Sequence, residues 1–156
     1  MSLEGAIAAN RFGLGARPGE IERASANPKK WLLAQVNGPA DQPTASDGQP
    51  FANAGQLVGE AEAYKAEKVM IKQSGQKSKN GKHTAQPVGG NIRKEQYVDE
   101  MSARFALGFS TERPFAERIV RFWSNHFTVS AQKREARIYI GAFEREAIRP
   151  HINGSF

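Results

Sequence analysis

Arg113-Pro114-Phe115-Ala116-Glu117-Arg118-Ile119-Val120-Arg121-Phe122-Trp123-Ser124-Asn125-His126-Phe127 can be read only as an amphipathic helix. Ser110-Thr111 supplies a cap, and Pro114 falls in the first turn, where its missing N–H costs nothing. Phe115, Ile119, Phe122, Trp123 and Phe127 recur at helical spacing and form the most apolar face of the chain, which is expected to point inward. Glu117 precedes Arg121 by four residues, the favourable order for an ion pair along a helix surface.

The pattern outward from this run is also helical. On the N-terminal side, Val98, Met101, Phe105 and Phe109 follow at spacings of three, four and four, predicting a helix over 92–109 with one continuous buried face. On the C-terminal side, Ala136, Tyr139, Ile140, Phe143 and Ala147 predict a helix over 132–148, ended by Pro150. Thr128-Val129-Ser130 is too short to count as a strand. Further back, 4–12 reads as a short helix stopped by Gly13-Leu14-Gly15, and 18–26 as a second. Asn27-Pro28 opens a third, carrying Trp31, Leu32 and Val36 inward, and Asn37-Gly38-Pro39 closes it. Residues 52–73 carry an approximate stripe of Ala54, Leu57, Val58, Ala61, Tyr64 and Val69. Residues 37–51 and 74–91, rich in Gly, Pro, Asn, Gln and Ser, read as loops or disordered segments. The expected architecture is all-α, an irregular multi-helix bundle of about six helices with long flexible loops. It is either a single helical domain over 1–156 or the N-terminal fragment of a longer protein; the abrupt end on Phe156 favours the fragment.

The chain has 156 residues and no cysteine, which removes disulfides, thiol nucleophiles and Cys-based zinc sites together. No apolar run is long enough to span a membrane, and no signal peptide is visible. Met1-Ser2-Leu3 has the look of a recombinant start, so a native leader is not excluded. The net charge of +6 permits an anionic partner without requiring one. Lys65, Lys68, Lys72, Lys77, Lys79 and Lys82 read as a solvated basic run.

Gly13-Leu14-Gly15 with Gly19 lacks the strand and the spacing of a nucleotide-binding loop and reads as a tight turn between helices. The polar residues Arg118, Ser124, Asn125 and His126 crowd the end of the central helix. His126 follows Phe122 by four and Arg118 by eight, so the three share a face. His126, Asn125 and Arg118 are therefore the candidate catalytic residues, with His126 able to shuttle a proton; the alternative is that His126 and Asn125 cap the helix end. His126 and His151 are candidate metal ligands, with Glu135, Glu144 and Glu146 as carboxylates on an expected charged helix surface. His83 reads as solvated. Lys133, Arg134, Arg137, Arg145 and Arg149 are interleaved with glutamates, which suits mixed-charge surface or interhelical pairing better than phosphate contacts. No nucleophile elbow and no paired carboxylates beside an apolar pocket are identifiable.

Three blocks carry a family resemblance. Ala9-Asn10-Arg11-Phe12-Gly13-Leu14-Gly15-Ala16-Arg17-Pro18-Gly19-Glu20, the run Arg113 to Ser130, and Arg149-Pro150-His151-Ile152-Asn153-Gly154-Ser155-Phe156 resemble, in the same order, blocks of the bacterial domain-of-unknown-function family 1800. The resemblance implies a bacterial, helical protein, often envelope-associated or exported, whose relatives continue beyond the last block. It implies no reaction. Where relatives often carry a histidine after the tryptophan of the central block, this chain has Ser124, which removes a second ligand or acid–base group beside His126.

The expected function is a helical scaffold or interaction segment with no assignable reaction and no cofactor. One alternative is the N-terminal part of an enzyme or metal-dependent protein whose site is completed by a C-terminal region; another is a nucleic-acid binder working through a basic face, which the charge pattern does not favour. The expected partner is that C-terminal region or a self-associating copy. The location is open between cytoplasm and export with the leader absent.

Overall fold

The computed structural model describes residues 1–73, 89–127, 129, 130, 132 and 134–154. Helix α1 (Leu3–Ile7) starts where the Ser2 hydroxyl accepts the Gly5 N–H (3.0 Å) and widens into a π turn, Ala8–Phe12, ending at Gly13. Helix α2 (Glu20–Ala26) follows Gly19, whose φ of 76° needs glycine. Gly5 lets α1 lie directly on α2, because any Cβ there would meet Ser25. Helix α3 (Pro28–Gln35) has the predicted start: Asn27 Oδ1 accepts the Lys30 N–H (3.0 Å) and Pro28 stands first.

Residues 36–53 form no helix; Thr44 and Pro50 make an isolated antiparallel bridge. Helix α4 (Ala54–Gln73) is capped reciprocally by Asn53 and Gln56. Only Leu57 and Ala61 of its expected stripe are buried, whereas Val58 and Val69 are exposed. Helix α5 (Gly89–Ser110) starts slightly earlier than predicted, so 89–91 are helical. The rest of the expected loop at 74–91, including His83, lies outside the described residues, as does Lys133.

Helix α6 (Pro114–His126) is the expected central helix. The expected long last helix is broken. Helix α7 (Arg134–Arg137) is followed by a tight turn in which the Tyr139 N–H donates to Ala136 O (3.0 Å). Helix α8 (Ile140–Phe143) then passes into a π turn, Glu144–Ile148, and a 3-10 turn, Arg149–His151. The described residues are thus all-α with loops, and none of their helices is long and apolar enough to cross a membrane.

The expected apolar face of α5 points outward, and that of α6 is split between half-buried Phe115, Ile119 and Trp123 and exposed Phe122 and Phe127. On α5, Phe105 and Phe109 are 60% and 79% exposed and Val98 is also exposed, while Glu100 on the opposite side is 3% exposed. On α6 the buried residues are Pro114, Ala116, Glu117 and Val120, and Phe122 and Phe127 are exposed. The apolar core that remains is small, formed by Ala40, Ala116, Val120, Ile148 and Ile152 with Ile119, Trp123 and Phe143 against it. The physical reason is that charged groups take the inner faces, and each must keep its partners once it is removed from water.

Candidate functional site

Arg149 is the hub, with no side-chain exposure to solvent. Its Nη1 and Nη2 donate to Glu117 Oε2 (2.7 Å) and Oε1 (3.1 Å), a fork-on-fork pair. Its Nε and Nη2 donate to Glu144 Oε1 (3.0 and 2.7 Å), and Nη1 also donates to Asp41 O (2.7 Å). These bonds use all five N–H donors of the guanidinium. The π turn makes this possible. Five residues along a regular α-helix end about 140° apart around the axis; the wider turn at Glu144–Ile148 brings Glu144 and Arg149 together.

The second oxygen of Glu144 is equally occupied. Ser124 Oγ donates to Oε2 (2.8 Å), and Arg104 Nη2 pairs with the same oxygen (2.8 Å). Arg121 stands beside Glu117 Oε1 at 3.6 Å. Gly108 makes room for Arg121, whose guanidinium lies where a Cβ would stand. A neighbouring pair joins α5 to the end of α8. Arg145 Nη1 donates to Glu100 Oε1 (2.9 Å) and Nη2 to Ala52 O (2.6 Å), with Phe51 stacked 5.3 Å from the guanidinium. Gly141 admits the Glu100 carboxylate against α8.

Burial pushes the Glu100 carboxyl above its ordinary value, and Arg145 only partly offsets this. Burial opposes the charge on Arg149, but hydrogen bonds and attraction from Glu117, then Glu144, outweigh it and hold the group above its ordinary value.

Arg113 fixes the cluster to the N-terminal half. It donates to the carbonyls of Gln35 (2.8 Å), Pro39 (2.7 Å) and Asn37 (2.9 Å), capping the end of α3. Gln35 Oε1 in turn accepts the Phe115 N–H (2.8 Å) at the start of α6.

A cleft of about 190 Å³ opens between α5, α6 and the end of α8, with Arg104, Ser124, Asn125 and Glu144 among its walls. Asn125 is thus placed with the ionic cluster. His126 is not: it is exposed, packed against the rings of Phe122, Trp123 and Phe127 at 6.3, 5.8 and 4.9 Å. His151 lines a second cleft, of about 260 Å³, with Trp123, Phe127 and Ile152. Trp123 and Phe127 therefore border both histidines. Arg118 is drawn away from them and donates to Gly13 O (2.7 Å). Among the described residues no group of three or more His, Asp and Glu side chains is placed to hold a metal ion.

Glu144, expected on a charged surface, is buried, because the π turn aims it at Arg149. Glu117 pairs with Arg121 as read, but it too is buried and its principal partner is Arg149. Glu100 and Arg104 gave no sequence signal beyond lying on the face of α5 opposite Phe105. The available clue was Glu100-x3-Arg104-x3-Gly108, a charged stripe ending in a residue with no side chain.

The family model described as Protein of unknown function (DUF1800) matches residues 7–156. No curated protein and no solved structure matches the chain.

Proposed function

We propose that this chain, which belongs to the DUF1800 family of proteins of unknown function, acts as a helical interaction segment that associates with a second copy of itself through the outer face of α5. The observation that carries the reading is the inversion of that helix. Glu100 and Arg104 face inward and are held by Arg145 and Glu144, so Val98, Phe105 and Phe109 are committed to the outside. A rigid scaffold presenting an apolar stripe suits a symmetric contact, in which the same patch serves both partners. Burying such side chains is worth about 1.5–3 kcal/mol each at most, against an association cost of about 4–15 kcal/mol. The two are of similar size, so association is concentration-dependent. On this reading His126 and Arg118 act in packing: His126 completes a ring cluster and Arg118 ties α6 to Gly13.

Sedimentation over a wide range of protein concentration tests the reading. The native chain is expected to shift from monomer toward dimer, and Phe105→Glu/Phe109→Glu to stay monomeric with unchanged helicity. A native chain monomeric throughout, or a dimer indifferent to both substitutions, would overturn it.

A further inference from the structure

The two arginines that share the Glu144 carboxylate are used very differently. Arg149 spends every donor it has. Arg104 makes one ion pair, to Glu144 Oε2, and its Nε is buried with no hydrogen-bond partner among the described residues. The Nε of Arg121 is buried in the same way, and neither atom is open to a ligand; what Arg104 offers the cleft is the Nη donors that Glu144 does not take.

The charge balance points in the same direction. Arg104, Arg121 and Arg149 face Glu117 and Glu144, three cations against two carboxylates, while the adjoining Glu100 and Arg145 neutralise each other. One positive charge is left over in a partly desolvated site. A single negative charge completes the balance, and it is worth more there than in water.

The cleft gives the shape of the ligand. Its polar side is Arg104, Ser124, Asn125 and the Glu144 carboxylate, whose Oε2 already takes Ser124 Oγ and Arg104 Nη2; Met101, Ile140, Phe143 and Tyr97 supply apolar and aromatic wall. Its volume of about 190 Å³ equals that of about six waters. This is below the usual span for drug-sized ligands, so the ligand is small. We propose that this cleft binds a small organic monocarboxylate with an apolar body, its carboxylate received by Arg104 and its body by the aromatic wall. The guanidinium suits a carboxylate because its fork matches the two oxygens. The inference does not rest on self-association through α5: Val98, Phe105 and Phe109 are not part of the cleft, although Met101 of the same helix lines it.

Benzoate is the probe. Titrated into the native chain at constant ionic strength, it is expected to raise the melting temperature in a saturable way. Benzyl alcohol, equal in shape but uncharged, and inorganic phosphate should not. Arg104→Gln should weaken the benzoate effect about tenfold or more, the loss of a charge-assisted bond. Because that variant also unbalances Glu144, Met101→Trp serves as a second: it fills the cleft from the apolar side, keeps the ionic groups, and should abolish the effect while the protein stays folded. No response to benzoate in the native chain, an equal response to phosphate (an anion effect only), or a benzoate response that survives Met101→Trp would overturn the proposal.

Discussion

Arg149 bears more structure than any other residue. Replacing it with methionine leaves Glu117 and Glu144, both buried, with no shared cation. Removing one partner from a buried ion cluster costs about 3–5 kcal/mol, and urea unfolding of Arg149→Met should show a loss of that size. Arg149→Lys should recover only part of it, since a point charge cannot fork to two carboxylates. Glu100 gives a pH signature. Its folded-state carboxyl sits above the ordinary value, so over the window between the two the folded chain holds more protons than the unfolded one. Its contribution to stability therefore falls as pH rises from the ordinary value through the raised one. Unfolding curves at several pH values should show this decline in the native chain relative to Glu100→Gln; a relative gain with rising pH would refute it. Some of this scale is legible in sequence. Asn27, Pro28 and Gly38 announce the start and stop of α3, because caps act within a turn. Arg149 is not legible as a hub. Its partner Glu144 is five residues back, a spacing that pairs only across a π turn, and nothing local announces that turn.

At the scale of elements, the helices are legible and their orientation is not. Periodicity locates α5 and α6 because an apolar stripe requires a helix; it cannot say which side faces in when the opposite side carries matched charges. On α5 the stripe of Glu100, Arg104 and Gly108 is the inner one, and Val98, Phe105 and Phe109 are left outside. The break in the last helix is hidden from the sequence for a related reason. Its apolar residues keep helical spacing through the turn at Ile138-Tyr139, and the pattern alone does not register the break. Glycine decides how closely these elements approach. A Cβ on Gly141 would collide with the Glu100 carboxylate. Gly141→Ala should therefore destabilise by about 1–3 kcal/mol, the usual range for overpacking. Glu100→Asp, which draws the carboxyl back by one methylene, should cost less in that background than in the native one, a coupling that a double-mutant cycle in urea measures.

The whole molecule is organised around charge. A small core of alanine, valine and isoleucine is flanked by buried Glu20, Glu100, Glu117, Glu144 and Arg149, and several of the largest apolar side chains lie outside. Buried ion pairs add little net stability over apolar packing but are costly to break, so they set which way each helix faces. Of the candidate residues legible in the sequence, Asn125 lines the ionic cleft beside Ser124, whereas His126 packs among aromatic rings, because spacing along a helix does not say which neighbours its end meets. An α5 that turns its apolar face outward and associates through it has a surface whose accessibility depends on protein concentration. The cysteine-free chain allows a direct measurement: the rate at which a thiol reagent labels Phe105→Cys, read at low and at high protein concentration. Labelling should be as fast as in an unfolded control when the protein is dilute and should slow as it is concentrated. Protection already present in dilute folded monomer would place that face inside and contradict the account, and a rate indifferent to concentration would contradict the association.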